Sequence, residues 1–188
     1  MIGIALHPLR LLDRLREWSR REDGTATLDF VILVPVFVSL FVSSFEVSIF
    51  TIRQMMLDRA LDLVVRDLRL GTWTNVTSDT LKAQICERTI GLLPDCSNQL
   101  MIEMVPISSA TWDTPDPNAT CVDRDAEVQP AVAFNPGTEN QMVIIRACSM
   151  VDPFFPGTGL ALSLEANVGD GFPIIATSGF VNEPGTGT

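Results

Sequence analysis

The chain has 188 residues and a formal net charge of −10, enough for a leader, a long helix and one modest globular domain, with no room for a second. Residues 1–24 carry five Arg against Asp13, Glu17, Glu22 and Asp23, so that segment has a surplus of one positive charge and the remainder stands at −11. A chain this acidic repels phosphate backbones, and no nucleic-acid binding is expected. The single histidine, His7, lies before Gly24 and there is no tyrosine, which removes Ser-His-Asp and Cys-His pairs and His-containing metal sites from everything beyond Gly24. Gly-rich phosphate loops followed by Lys and dinucleotide fingerprints are missing as well. No enzyme and no cofactor is expected.

The first segment, up to Asp23, reads as a leader in which Leu9, Leu12 and Leu15 with Arg10, Arg14 and Arg16 suggest a short amphipathic helix at the membrane surface. At Gly24 charged sequence gives way to apolar sequence. From Phe30 to Ile52 run 23 residues with one acid, Glu46, and at about 1.5 Å per residue a helix of that length crosses the roughly 30 Å hydrocarbon core. A cleaved secretory signal peptide fits less well, because the apolar run is too long and no Ala-x-Ala follows it before Arg53. Basic residues flank the span on both sides, so orientation rests on the four cysteines, all placed after it, where an oxidising compartment permits disulfides. The expected arrangement is a membrane crossed once, with a cytosolic N-terminus and the head in an oxidising periplasm or exterior.

Beyond the span, Leu57, Leu61, Val64 and Leu68 keep helical spacing, Asp62 and Arg66 stand four apart as an exposed pair, and Gly71 is a helix stop. One helix over 25–70 follows, with the span at about 30–52 continuing as an amphipathic helix. Pro35 removes one of its backbone hydrogen bonds and is expected to bend or locally melt it. Glu46 is expected to reach the outer headgroups or a basic group on a partner helix, and Met55 and Met56 read as packing residues. A second helix is expected over Thr80–Ile90 with Leu81, Ile85 and Ile90 inward. Strands are expected at Leu100–Val105, Glu127–Phe134, Gln141–Val151 and Phe172–Val181, with the turn-rich segment Asn135–Asn140 joining the middle two as a hairpin. The fold class is therefore α+β: a long N-terminal helix followed by a small antiparallel-sheet head with a second helix, the head occupying 71–188.

Four cysteines allow three pairings. Cys86 with Cys96 closes a short loop, and Cys121 with Cys148 ties the approach to the hairpin onto its second strand, each for roughly 3 kcal/mol by loop entropy. The second bridge conflicts with the hairpin: pairing Phe134 with Gln141 sets Cys148 opposite Glu127, so Cys121 has to approach as non-strand chain or through a bulge. Asp113, Asp116, Asp123 and Asp125 supply oxygen ligands of the kind that hold calcium, although a solvated acidic loop is the plainer reading. The triplets at Asn75 and Asn118 match the glycosylation acceptor pattern, which occurs often by chance.

Asp29 lies at the edge of the apolar helix, where an acid is costly in lipid unless neutralised. A cut between Gly24 and Thr25 creates an amine at the same depth, and the same amine on a neighbouring subunit can meet Asp29 and favour a staggered helix arrangement. Gly24, Asp29 and Phe30, spaced as Gly, four residues, acid and aromatic, resemble the cleavage pattern of TadE-like minor pilins, or pseudopilins, of the tight adherence (Flp, type IVc) pilus. Pro35 soon after the start of the span is similar to a feature common in that family, and Phe180-Val181-Asn182-Glu183-Pro184 resembles its terminal Phe-x-Asn-Glu-Pro signature. The family's usual acid is Glu; Asp29 is one methylene shorter.

The resemblance implies a bacterial inner-membrane location with a periplasmic head, and cleavage after Gly24 by a membrane-embedded prepilin peptidase. It also implies contacts with other pilin-like subunits through the N-terminal helix, with Asp29, Phe30 and Pro35 in helix pairing, and with the pilus assembly platform. A head of this size implies a minor subunit that primes or caps a pilus. The competing expectation is an unprocessed single-span binding module, an adhesin or periplasmic receptor.

Overall fold

A computed structural model describes residues 25–73, 75–155 and 171–183. The leader, Gly24 and Pro184 lie outside them, as do the side chains of Thr25 and Ala26. The chain divides after Ser43 into two compact units.

Helix α1 is Thr25–Arg69 and contains Pro35. The helical assignment continues unbroken through that proline, so the expected local melting does not occur. The proline lacks the N–H that would reach the Val31 carbonyl, and a single missing bond is outweighed by the turns on either side. Within the first unit the apolar side chains Leu28, Phe30–Leu33, Val36–Val38, Leu40 and Phe41 are exposed. In the second unit the pattern is reversed. Leu57, Ala60, Leu61, Val64, Val65 and Leu68 form a buried stripe at spacings of three and four, the amphipathic signature of a helix lying on a core.

The helix ends in a Schellman motif. Gly71 sits at φ +63°, its N–H donates to the Leu68 carbonyl at 3.0 Å and the Thr72 N–H to the Asp67 carbonyl at 3.1 Å. Asp62 accepts from Ser178 Oγ at 3.3 Å; among the described residues no ion pair joins it to Arg66, the partner expected from sequence.

Helix α2 is Ser78–Arg88, opened by a capping box in which Thr77 and Thr80 exchange side-chain bonds with each other's backbone. Leu81 and Ile85 are fully buried, as expected, but Ile90 is 79% exposed. The reason is local: Thr89 caps the helix, and Ile90 and Gly91 turn left-handed at φ 54° and 73°, which aims Ile90 away from the core. A short helix α3, Cys96–Gln99, leads into the sheet.

The sheet is three-stranded and antiparallel in the order β1-β2-β3, with β1 Leu100–Ile107, β2 Met142–Val151 and β3 Phe172–Val181. Register sorts the side chains by alternation. One face carries Leu100, Ile102 and Met104 of β1, Val143, Ile145, Ala147 and Val151 of β2, and Phe172, Ile174, Ala176 and Phe180 of β3, all in one core with the α1 stripe and α2. The other face carries Met101, Glu103, Arg146, Cys148 and Met150, and a second small cluster joins Met101 and Met150 to Val122, Cys121 and Val132.

The expected strand Glu127–Phe134 and its hairpin with Gln141–Val151 are not formed. β2 is the central strand, with both its edges taken by β1 and β3, so 127–134 cannot pair with it. That segment touches β1 instead, at a single parallel bridge between Met104 and Phe134, made by Met104 N–H to the Ala133 carbonyl and Asn135 N–H to the Met104 carbonyl, both 2.9 Å. The conflict over Cys121 disappears with the hairpin. Cys148 lies opposite Met101 and Ile175, and Cys121 arrives as non-strand chain.

Candidate functional site

The residues singled out from sequence fall into three places. Gly24 lies outside the described residues. Thr25 is the first residue of α1, and Asp29, Phe30 and Pro35 follow on it as exposed positions. The side chains from Leu28 to Phe45 therefore present an exposed apolar surface with Asp29 near its start. Among the described residues α1 is the one helix long and apolar enough to cross a membrane.

The disulfides staple the head on opposite sides. Cys86–Cys96 joins the last turn of α2 to the start of α3. Cys121–Cys148 pins the long connection between β1 and β2 onto the outer face of the sheet. Beside it Arg146, buried on that face, donates to the Glu103 carboxylate, its cross-strand neighbour, and to the Asp116 carbonyl. A buried guanidinium needs such partners, and together they hold the connection in place without regular structure.

The four calcium candidates are not gathered. Asp116 Oδ1 accepts from the Asn118 N–H at 2.8 Å and Asp123 Oδ1 from the Asp125 N–H at 3.0 Å, each the local turn that Asx side chains make. Asp113 and Asp125 are exposed, and no group of three metal-ligating side chains occurs among the described residues. A cleft of about 520 Å³ beside Asp95, Gln99 and Asp152 contains Arg124. Its guanidinium is already engaged by Gln99 Oε1, Asp152 and the Met150 carbonyl, which leaves little to recognise an anion.

Two positions acquire roles that sequence reading did not give them. Glu46 is only 6% exposed. Its Oε1 accepts the Phe154 N–H at 2.7 Å and its Oε2 the Phe155 N–H at 2.9 Å. The acid is thus engaged within the chain, where it latches the loop after β2 onto α1. Arg53 donates to the Asp152 carbonyl at 2.9 Å and Gln54 to the Ile175 carbonyl at 2.9 Å, so the part of α1 from Glu46 onward is engaged by the head. The expected span of about 30–52 is accordingly of two kinds, exposed apolar up to Phe45 and head-covered on one side beyond it. An acid inside an apolar run was a legible sign that a partner must exist. Its identity was not, because the donors are main-chain N–H groups.

Asn182, in the terminal signature, is the second. Its Nδ2 donates to the Pro136 carbonyl at 2.8 Å and the Thr138 carbonyl at 3.1 Å, and its backbone pairs with Asn140 and Gln141. Phe180 fills the core two residues earlier, and Glu183 pairs with Arg69 at 3.0 Å near the end of α1. The signature residues therefore close the last strand onto the 135–140 turn and the helix terminus.

No match was found when the chain was compared with family models, with curated proteins and with solved structures.

Proposed function

We propose that this chain is a prepilin-like minor subunit of the TadE-like kind, anchored in the inner membrane by α1 and processed between Gly24 and Thr25. In this role it acts in the assembly, priming or capping of a tight adherence pilus. The observation that carries the reading is α1 itself, with an exposed apolar surface from Leu28 to Phe45 followed by a helix stripe buried in a disulfide-stapled head. An exposed surface of that size is stable in lipid or against other apolar helices and not in water. Asp29 near its start is the one charge that surface must accommodate, and the new amine of Thr25 on a neighbouring subunit is the group that offsets it. The head contributes a rigid block that limits how such subunits stack, as expected of a subunit used in few copies.

The test is the mature N-terminus. Intact mass and N-terminal sequencing of the chain purified from membranes of cells containing the prepilin peptidase should give a protein beginning at Thr25, and Gly24→Ala should remain full length. A chain that retains Met1 in those cells overturns the proposal in favour of an unprocessed, membrane-anchored binding module.

A further inference from the structure

At the upper end of the exposed stretch three phenylalanines gather. Phe45 of α1 lies 5.9 Å from Phe154 and 6.0 Å from Phe155, and the latter two rings are 5.0 Å apart, edge to face. Burial does not explain the cluster, since Phe45 is 44% and Phe154 55% exposed. We infer that it is a membrane-interface collar: the Phe45, Phe154 and Phe155 rings sit at the boundary of phospholipid headgroups and acyl chains and set how deep the head stands on the bilayer. The inference rests on the reading that α1 crosses a membrane and adds the surface by which the head meets that membrane.

Length is the first argument. Thr27 to Phe45 is 19 residues, about 28 Å of helix, against a hydrocarbon core of roughly 30 Å. A span that begins near Thr27 therefore ends at Phe45, the depth at which aromatic side chains concentrate. Hydrogen bonding is the second. A loop can bring its rings to the edge of the hydrocarbon only if its backbone donors there are satisfied, because the hydrocarbon holds no water to pair them. Glu46 takes both the Phe154 and Phe155 N–H groups, and Pro153 between them and Asp152 has none to offer. Charge is the third. Arg53, seven residues beyond Glu46, is half-buried against the loop through the Asp152 carbonyl. About 10 Å further along the helix, it stands where lipid phosphates lie.

Full-length chain reconstituted in phosphatidylcholine vesicles tests the collar, using two added tryptophans read as the increment over the parent. Phe37→Trp reports whether α1 is in the bilayer, and Phe154→Trp, at an exposed ring position, reports the collar. The Phe37→Trp emission should be quenched most by lipids brominated deep in the chain. The Phe154→Trp emission should fall roughly twofold with lipids brominated near the headgroup, and less with deep ones. If Phe37→Trp is quenched and Phe154→Trp is not under any lipid, the rings face water or another protein and the collar is overturned while the span stands. If Phe37→Trp is not quenched either, the membrane reading fails and the collar fails with it.

Discussion

The Glu46 latch lends itself to a graded prediction. Each of its carboxylate oxygens holds one main-chain N–H of the Phe154–Phe155 loop, and hydrogen bonds to an ionised acceptor contribute about 1.5–3 kcal/mol each. Glu46→Ala removes both and leaves two donors beside a buried helix face, so local opening of the loop should become easier by about 3 kcal/mol or more. Glu46→Gln keeps one carbonyl oxygen but turns an NH₂ toward the second donor, so its effect should be about half. Fragment-resolved hydrogen exchange over 152–155 reads these openings directly, and at about 1.4 kcal/mol per factor of ten the alanine variant should exchange roughly a hundredfold faster there. Gln54→Ala is the control. It releases the Ile175 carbonyl on β3 and should leave 152–155 unchanged. Exchange over 152–155 within about twofold of the parent in Glu46→Ala, at full occupancy of both disulfides, would refute the latch, since no donor could then have depended on the carboxylate.

Three further outcomes are expected in the head. Replacing Cys121 and Cys148 by Ser opens a loop with a sequence separation of 27, against 10 for Cys86 and Cys96, and loop entropy puts the losses at about 3.5 and about 3 kcal/mol. Urea unfolding should therefore give the lower midpoint for the Cys121/Cys148 variant, and the reverse order would argue against a loop-entropy origin. Asn182→Ala forfeits both side-chain bonds to the 136–138 carbonyls and should destabilise by about 2 kcal/mol, with faster exchange confined to 135–141; a loss spread evenly over the sheet would place its role elsewhere. Ser149 is fully buried with an unpartnered hydroxyl among the described residues, so Ser149→Ala should raise the urea midpoint by the equivalent of about 1 kcal/mol, and a lowered midpoint would mean the hydroxyl is satisfied.

What sequence made legible was what is local. The stripe from Leu57 to Leu68 and the stop at Gly71 follow from helical period and from glycine's access to positive φ. β2 and β3 fall within one residue of the expected limits because alternation and turn residues bound them on both sides. The segment 127–134 failed for a non-local reason. Val128, Pro130, Val132 and Phe134 alternate like a half-buried strand, but a strand needs a free edge, and β1, from far earlier in the chain, occupies the edge of β2. Val128 is left exposed while Val132 and Phe134 still pack on the sheet. The disulfide expectation was sounder than the strand expectation it collided with, because four cysteines constrain the chain through few pairings.

Glu46 and Asn182 share a property that hid them. Both act on backbone groups, Glu46 on two N–H donors and Asn182 on two carbonyls, and backbone groups leave no trace in residue identity. They also work at opposite ends of the segment of α1 that the head covers. Near Glu46 the loop after β2 is tied to the helix, and near Arg69 the strand terminus is tied to the helix end through Glu183 and to the adjoining turn through Asn182. Between them lies the buried stripe, which is non-directional and would by itself tolerate sliding by a helical turn. The directional bonds at each end remove that freedom, so the head is fixed in register along α1 from Glu46 to Arg69. A slip of one turn, about 5.4 Å, would carry Phe154 and Phe155 out of line with Phe45 and separate Glu46 from both of its donors.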